Sequence, residues 1–320
     1  MFEAGAVTVV GGGVIGLTAA LRLAEAGWPV AVVARAYSPD TTSDVAAAVW
    51  YPFRAGPPDA VARWARRGYA VLRDLAARAP AAGVRMVDGV ELGHGPLPDE
   101  AWHADVDGLR RLAPPDVPAP FAHGLAFRAP VVAMPAYLAW LRARAAAAGA
   151  RFATAEVTPR DLAAALDRGA VVVNATGLGA RTLVGDDGLY PIRGQIVRVA
   201  PGRVARFVQA TQPPQPVTYI IPRPDCTVLG GTAQVGRDDL AVDADTAAAI
   251  VARCAAIEPA LAGAAVLSHA VGLRPGRDAV RLAAEAVGRG RLVHCYGHGG
   301  AGVTLSWGCA DDVVALVGAP

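Results

Sequence analysis

Gly11-Gly12-Gly13-Val14-Ile15-Gly16 decides the fold, because it matches the pattern G-x-G-x-x-G between an apolar run and a helical run. Residues 6–10 before it have the character of a short buried strand, and residues 14–26 after it have the apolar spacing of a helix. The first glycine permits the tight turn, the second lets the backbone approach a pyrophosphate, and the third lets helix and strand pack closely. The pattern therefore predicts a bound dinucleotide at the start of this helix. The expected contact residues are Gly11, Gly13, Val14, Ile15 and Gly16.

Together with this turn, the periodic runs in the rest of the sequence predict an α/β fold. A second buried strand at residues 29–34 completes a β-α-β unit, which implies neighbouring parallel strands. Between residues 195 and 233, short strands punctuated by proline and glycine indicate antiparallel sheet, whereas residues 95–130 hold few regular signals. The other predicted elements are helices at residues 59–79, 137–148, 159–167, 241–257 and from about 304, and strands at residues 171–174 and 292–296.

The composition removes several classes of function. All 30 basic residues are arginine, so the chain cannot form the lysine Schiff base of pyridoxal phosphate enzymes or the lysine contact of a Walker A loop. A formal net charge of +2 gives no support for nucleic acid or an anionic membrane as the main partner. The four cysteines have no metal-site spacing, so we expect free thiols and no metal. We also expect a soluble protein of the cytoplasm.

The end of the second strand leaves the choice of dinucleotide open. An acidic residue often stands there to bind the ribose hydroxyls, but this chain has Arg35. Arg35 could favour the 2′-phosphate of NADP, or it could contact the adenosine or phosphate part of FAD. The glycine turn alone does not choose between a flavin and a nicotinamide.

Six further stretches follow one another along the chain. They are Thr41-Thr42-Ser43-Asp44-Val45-Ala46-Ala47 with Trp50, Asn174-Ala175-Thr176-Gly177, Arg193-Gly194-Gln195, Tyr219-Ile220-Ile221-Pro222, Gly272-Leu273-Arg274-Pro275 with Arg281-Leu282, and His294-Cys295-Tyr296-Gly297-His298-Gly299-Gly300-Ala301-Gly302. Together with the glycine turn, and over almost the whole chain, they closely resemble the D-amino acid oxidase family.

The resemblance implies that the cofactor is a non-covalent FAD. Its pyrophosphate would lie on the first helix, and Gly299 and Gly300 would lie close to the flavin. A helix that begins near the ring favours negative charge on the reduced flavin. The implied cofactor contacts outside the glycine turn are Arg35, Thr41, Thr42, Ser43, Val157, Gly299, Gly300, Gly302 and Thr304.

Two domains are expected on these grounds. A Rossmann-type FAD-binding domain would be discontinuous, formed by residues 1–190 and 276–320. A substrate-binding domain built on a largely antiparallel sheet would span residues 191–275, and a contribution to it from residues 51–130 is left open. The quaternary state is also left open, with a homodimer as one candidate.

The chemistry of an amino acid suggests the substrate contacts. A planar arginine fork suits a carboxylate because it forms two parallel, charge-assisted hydrogen bonds, and Arg274 is the candidate. By resemblance, Tyr219 adds a hydroxyl to the same carboxylate, and the Gly300 carbonyl accepts a hydrogen bond from the amine. The implied reaction is hydride transfer from Cα to flavin N5 without a general base. O₂ would be reduced to hydrogen peroxide, with release of a 2-oxo acid and ammonia. His298 is interpreted as a supporting residue, and the D-handedness comes from the family.

The side-chain pocket leaves more alternatives. Trp50, Tyr51 and Phe53 are candidates for its lining, which would favour bulky neutral side chains, although Trp50 fits a core residue equally well. Gln215 lies in a proline-rich run where the family often has a lid tyrosine, so we expect a weaker lid. A D-aspartate oxidase would need an extra cation, for which Arg54 and Arg223 are available. A glycine or sarcosine oxidase and an FAD dehydrogenase with another acceptor also remain open.

Overall fold

A computed structural model describes residues 2, 5–212 and 216–318 of the chain, so the predicted pocket residue Gln215 lies outside the described residues. The helices are α1 Val14–Glu25, α2 Thr42–Val45, α3 Pro58–Arg78, α4 Met134–Ala147, α5 Pro159–Asp167, α6 Ala180–Leu183, α7 Ala244–Ile257 and α8 Gly302–Val317. The strands are β1 Val7–Val10, β2 Val30–Ala34, β3 Val84–Gly93, β4 Asp107–Arg111, β5 His123–Val132, β6 Arg151–Thr154, β7 Val171–Asn174, β8 Tyr190–Val199, β9 Phe207–Ala210, β10 Thr218–Pro222, β11 Thr227–Gly230, β12 Gln234–Val235, β13 Val266–Gly276, β14 Arg281–Val287 and β15 Gly290–Tyr296.

A six-stranded sheet contains the glycine turn. Its order is β14-β15-β7-β1-β2-β6, and all neighbours are parallel except the β14–β15 pair. The four residues of β1 are all buried, which agrees with the continuous apolar run of a central parallel strand. Because α1 joins β1 to its neighbour β2, the predicted β-α-β unit and the Rossmann-type sheet are confirmed.

A nine-stranded sheet forms the second layer. Its order is β12-β8-β11-β10-β9-β3-β5-β4, with β13 along the other side of β8, and its neighbours are antiparallel except for β3 and β9. The prediction of few regular elements in residues 95–130 is wrong, because β4 and most of β5 lie there. β4 is largely exposed and reads Asp-Gly-Leu-Arg-Arg, so it has no apolar alternation to reveal it. The proposed division of the chain into two domains stays a prediction.

The two faces of this large sheet have different characters. One face is apolar and packs against α7; it includes Val208, Ile220 and Leu229 with Ile250 and Cys254 of the helix. Side chains alternate between faces along a strand, and paired residues share a face. The neighbours of these apolar residues, such as Tyr219 and Gln209, therefore point to the opposite face. This second face carries the polar groups described below.

The predicted helices lie close to their observed positions. The helix expected at residues 59–79 spans Pro58–Arg78, and the last helix begins at Gly302 rather than near residue 304. Differences of this size are usual at helix ends. In the part of the chain that the structure describes, no helix is long and apolar enough to cross a membrane.

Candidate functional site

Two helices begin side by side at the proposed cofactor site. A Cβ placed on Gly302, the first residue of α8, would lie 3.8 Å from Val14, the first residue of α1. Within the described residues neither helix has a side-chain hydrogen bond at its N-cap or an acidic residue in its first turn. Helix N-termini carry partial positive charge and free backbone N–H groups. Together they offer a site for a large anionic group.

The glycines of the turn are required by packing. An added Cβ on Gly16 would lie 2.0 Å from the carbonyl oxygen of Gly11, and one on Gly11 would lie 2.4 Å from that of Ala175. Gly11 also has a φ of 132°, which side chains rarely adopt. On Gly13 an added Cβ would come 3.1 Å from Ser43 Oγ, a tight contact that would narrow the space at the start of α1. The glycines thus bring β1, α1 and the segment directly after β7 close together.

The segment that carries Thr41, Thr42 and Ser43 covers this turn. Ser43 Oγ accepts a hydrogen bond from the Val14 backbone N–H at 3.0 Å. The Asp44 carboxylate caps the start of the short helix α2 by accepting the Thr41 backbone N–H at 3.0 Å, and it also accepts the Thr41 hydroxyl at 2.6 Å. The Arg198 side chain donates to the Asp44 carbonyl at 2.9 Å and ties α2 to the nine-stranded sheet. The structure therefore places the predicted Thr-Thr-Ser segment beside the first helix, between the two sheets.

The glycine-rich segment before α8 lies against two other parts of the predicted site. Gly299 donates its backbone N–H to the Pro275 carbonyl at 2.8 Å, and Gly300 donates to the Phe53 carbonyl at 3.1 Å. Gly299 has a φ of 54°, and an added Cβ would lie 2.0 Å from the Arg54 carbonyl oxygen. Gly300 itself is exposed. The segment therefore presents an open backbone next to Arg274 and Phe53.

His298 lies behind this surface. Its side chain is 2% exposed, and its Nε2 lies 4.0 Å from the Cys295 sulfur. The position agrees with the supporting role predicted for it.

Arg274 and Tyr219 share the polar face of the large sheet. The register runs from Tyr219 through Gly230 and Ile196 to Ala270, and Arg274 lies four residues beyond Ala270 on the same face of β13. Burial raises the pKa of the Tyr219 phenol, and the charge of the nearby Arg274 guanidinium opposes that rise. The structure thus brings together a cation and a phenol that were predicted to bind one carboxylate.

Glycines provide the space for both side chains. An added Cβ on Gly194 would lie 2.3 Å from Arg274 Nη1, so the guanidinium lies directly over the β8 backbone. An added Cβ on Gly230 would lie 2.0 Å from the Tyr219 ring. Arg274 Nη1 also donates to the Thr232 carbonyl at 3.0 Å, which fixes the guanidinium from one side. Tyr219 forms a hydrogen bond with the same guanidinium, and the donors that neither Thr232 nor Tyr219 uses could bind a ligand such as a carboxylate.

Trp50 belongs to the core rather than to a pocket. It is fully buried, and its Nε1 donates to the Ala65 carbonyl at 3.0 Å. Its ring packs edge-on against Tyr69 and Trp102. The structure therefore supports the core alternative for Trp50 and not the predicted pocket lining.

Tyr51 and Phe53 follow on the same segment, and the Tyr51 ring packs edge-on against the same Trp102 ring as Trp50. Phe53 lies against Gly300, where an added Cβ would come 2.5 Å from the Phe53 ring. Tyr51 is buried, and its hydroxyl donates to Glu91 Oε1 at 2.8 Å. Burial and the adjacent carboxyl of Glu91 raise the pKa of the Tyr51 phenol. Phe53 is therefore beside the backbone proposed to hold the substrate amine, and Tyr51 is joined to a buried acid.

Two further polar residues on the polar face of the nine-stranded sheet were not predicted from the sequence. Glu91 on β3 and Gln209 on β9 are paired in register, each is 3% exposed, and Gln209 is also paired with Tyr219. The signal that could have found Glu91 is an acid inside the apolar run Val90-Glu91-Leu92. Burial raises the pKa of Glu91, and hydrogen bonds with Tyr51 and Gln212 oppose the rise.

The two cations considered for a second carboxylate differ in availability. Arg223 is buried, and it forms an ion pair with Asp225 and a hydrogen bond to the Ala46 carbonyl at 3.4 Å. Arg54 is exposed, and its guanidinium lies 5.4 Å from the centre of the Phe53 ring. Arg223 is therefore already neutralised by an acid of the chain.

Two of the remaining cofactor candidates follow the adjacent parallel strands β2 and β6, at the same edge of the sheet as the glycine turn. Arg35 is exposed directly after β2, and Val157 is partly buried between β6 and α5. Thr304 is buried, and its hydroxyl accepts from the Tyr51 backbone N–H and donates to the Tyr51 carbonyl, both at 3.0 Å. The Thr304 side chain therefore joins α8 to the backbone of Tyr51.

These features fit FAD. The space at Gly13 that a Cβ would fill, and the two adjacent helix starts, which have no acidic residue in their first turns, match a pyrophosphate and a ring that gains negative charge. Gly11, Gly13, Val14, Ile15 and Gly16 would hold the pyrophosphate end. Gly299, Gly300 and Gly302 would lie at the ring end.

Comparison with known proteins agrees with this arrangement. Residues 6–316 match the family model described as FAD dependent oxidoreductase. A D-amino-acid oxidase of Rubrobacter xylanophilus is 50% identical over 97% of this chain and 95% of its own length. A D-amino-acid oxidase of Streptomyces coelicolor is 47% identical over 98% and 96%. In fold, the chain is similar to glycine oxidase from Geobacillus kaustophilus, with a TM-score of 0.78 at 23% identity over 97% of this chain and 94% of that one.

Proposed function

The chain belongs to the family of FAD-dependent oxidoreductases, and on this premise we propose that it deaminates neutral, bulky D-amino acids with O₂ as the electron acceptor. FAD is its cofactor and D-amino acids are its substrates. The proposed products are a 2-oxo acid, ammonia and hydrogen peroxide. The observation that carries the proposal is the shared face of Arg274 and Tyr219, which adjoins the exposed backbone of Gly300.

The chain's residues would mainly bind and orient the substrate. When bound, FAD supplies the two-electron acceptor for the Cα–H bond. Arg274 would hold the substrate carboxylate through its free donors, and the Tyr219 hydroxyl would donate a further hydrogen bond to it. The Gly300 carbonyl would accept a hydrogen bond from the amine. The fixed position of these groups would lower the barrier by alignment, and no protein base has to remove the Cα proton.

Handedness follows from the same contacts. A carboxylate on Arg274 and an amine at Gly300 fix two of the four substituents of Cα. Of two enantiomers held this way, only one directs its Cα–H bond towards the cofactor. The substrate preference for the D form therefore needs no separate recognition of the side chain.

The pocket favours a neutral side chain over the second carboxylate of D-aspartate. Phe53 provides an apolar surface next to Gly300, and the buried acid Glu91 would repel another carboxylate on this face. Arg223 is paired with Asp225 and so is not a free counter-charge. Phe53 and Glu91 therefore favour the D-amino acid oxidase over the D-aspartate alternative, for which exposed Arg54 is the remaining candidate cation. The predicted cytoplasmic location and homodimer stay predictions.

The absorbance of the bound flavin tests the proposal. Under nitrogen, D-methionine should bleach the yellow holoenzyme while L-methionine leaves it unchanged, and air should restore the colour with formation of peroxide. Bleaching by glycine or sarcosine but not by D-methionine would favour those oxidases instead. Bleaching by D-methionine without peroxide in air would favour a dehydrogenase with another acceptor. A protein that no amino acid bleaches would refute the proposal.

A further inference from the structure

Glu91 is a buried acid without a cation. Its carboxyl is 3% exposed, and it accepts the Tyr51 hydroxyl at 2.8 Å. Gln212 adds a second neutral hydrogen bond. Among residues 2, 5–212 and 216–318 no arginine or histidine forms an ion pair with it. Since a buried carboxylate is stabilised strongly by an opposite charge, Glu91 is suited to receive one from a ligand.

Gln209 connects this acid to the proposed substrate carboxylate site. The register places Gln209 between Glu91 and Tyr219 on adjacent strands, and adjacent strands are about 4.8 Å apart, so Glu91 lies about 10 Å across the sheet from Tyr219. The amide nitrogen of Gln209 is buried and has no hydrogen-bond partner among the described residues. An amide can turn its oxygen or its nitrogen towards a ligand. Tyr219, Gln209 and Glu91 thus form a strip across three strands. Its middle residue, Gln209, has an unsatisfied amide nitrogen, and its end residue, Glu91, is an acid without an ion pair among the described residues.

From this strip we infer that Glu91 forms the far end of the side-chain pocket and binds the cationic end of a long basic side chain, such as that of D-lysine. The inference rests on the proposed function and extends its substrate class beyond neutral side chains. A lysine side chain has a flexible four-carbon stem and a compact charge with three donors. With its carboxylate at Tyr219 and Arg274, such a substrate would direct its stem past Gln209 towards Glu91.

The test compares substrates of equal length. D-Lysine and D-norleucine share the four-carbon stem, and only D-lysine carries the ammonium group. We expect the ratio of kcat/KM for D-lysine to that for D-norleucine to fall about tenfold or more in Glu91→Gln, because the amide keeps the size of the side chain but loses its charge. D-Glutamate should be oxidised poorly by the wild-type enzyme, and its kcat/KM should rise in the same variant.

Asp88→Asn is the matched control. Asp88 is on the same strand, its side chain is 86% exposed, and it undergoes the same loss of one negative charge. The substrate ratio should not change in this variant. If Glu91→Gln does not fold with FAD bound, the wild-type enzyme still decides the question, because a site for the ammonium group requires kcat/KM for D-lysine to exceed that for D-norleucine.

Failure of this inference is distinct from failure of the proposed function. If the wild-type enzyme oxidises D-norleucine but does not prefer D-lysine to it, or if Glu91→Gln leaves the lysine ratio unchanged, Glu91 does not bind the substrate cation. If no D-amino acid is oxidised at all, the proposed function is overturned and this inference with it.

Discussion

Gly194→Ala should displace the Arg274 guanidinium without lowering the stability of the fold. The added Cβ would lie 2.3 Å from Nη1 and 2.6 Å from Cζ of Arg274, whereas ordinary contact begins at 3.4 Å, so the guanidinium must retreat by about 1 Å. The clashing atoms are the far end of a flexible side chain, and the fold should therefore tolerate the change. A misplacement of about 1 Å at a reacting substrate can cost about 100-fold in rate. We therefore expect kcat/KM for D-methionine to fall about 100-fold, equivalent to about 2.7 kcal/mol.

Steady-state kinetics with the FAD-loaded variant would measure this loss. The flavin spectrum checks that the cofactor is bound, and Gly95→Ala is the control, because no atom lies within 4 Å of its added Cβ. The sharper test is a double-mutant cycle with Arg274→Ala. In the background that lacks the guanidinium, Gly194→Ala should have almost no further effect. Losses that simply multiply in the double variant would show that Gly194 does not act through Arg274, and the carboxylate site would have to be reconsidered.

Three other predictions concern single substitutions. Arg274→Ala should raise the KM for D-methionine by about 100-fold, since it removes two charge-assisted hydrogen bonds, while the protein stays yellow; a near-normal KM would contradict the assignment. Trp50→Phe should lower the free energy of unfolding by about 1–3 kcal/mol in urea titrations with little change in KM, because its indole fills the core and binds the Ala65 carbonyl; a KM effect without loss of stability would return Trp50 to the pocket. Burial alone would raise the pKa of Asp186, but hydrogen bonds from Tyr296 and two arginines outweigh it and hold the pKa below the usual value. Asp186→Asn should therefore cost about 3 kcal/mol at neutral pH, and the difference from wild type should shrink as the pH falls below about 4; a difference independent of pH would contradict the ionised state of Asp186.

The sequence predicted best the parts whose local chemistry allows few alternatives. The glycine turn can be recognised because Gly11 and Gly16 are each within 2.4 Å of backbone when a Cβ is added, so no other residue fits. The strand predicted at residues 171–174 is observed as Val171–Asn174, because a fully buried parallel strand is a continuous apolar run. These features depend on interactions within a short segment and its immediate neighbours.

The parts that the sequence did not predict depend on long-range pairing. Glu91 belongs to the site only because β3 pairs with β9, which lies more than a hundred residues further along the chain. Trp50 and Tyr51 are adjacent and both are buried, and their pattern does not indicate which of them contacts the polar face of the large sheet. The contacts with Ala65 and Glu91 decide it, and both are tertiary. The roles proposed for the site residues therefore remain predictions until the variants are measured.

Glycine within the strands of the large sheet offers a signal that the sequence analysis did not use. Gly194, Gly230 and Gly272 are on three different strands, where glycine weakens a strand by its entropy and lack of a side chain. Their missing side chains make room on one face for Arg274, Tyr219 and Val45. A fold selected only for stability would gain by filling these positions. Gly194 and Gly230 are therefore best explained by the need to place the arginine and the phenol against a ligand, and Gly272 by the close approach of Val45 in α2.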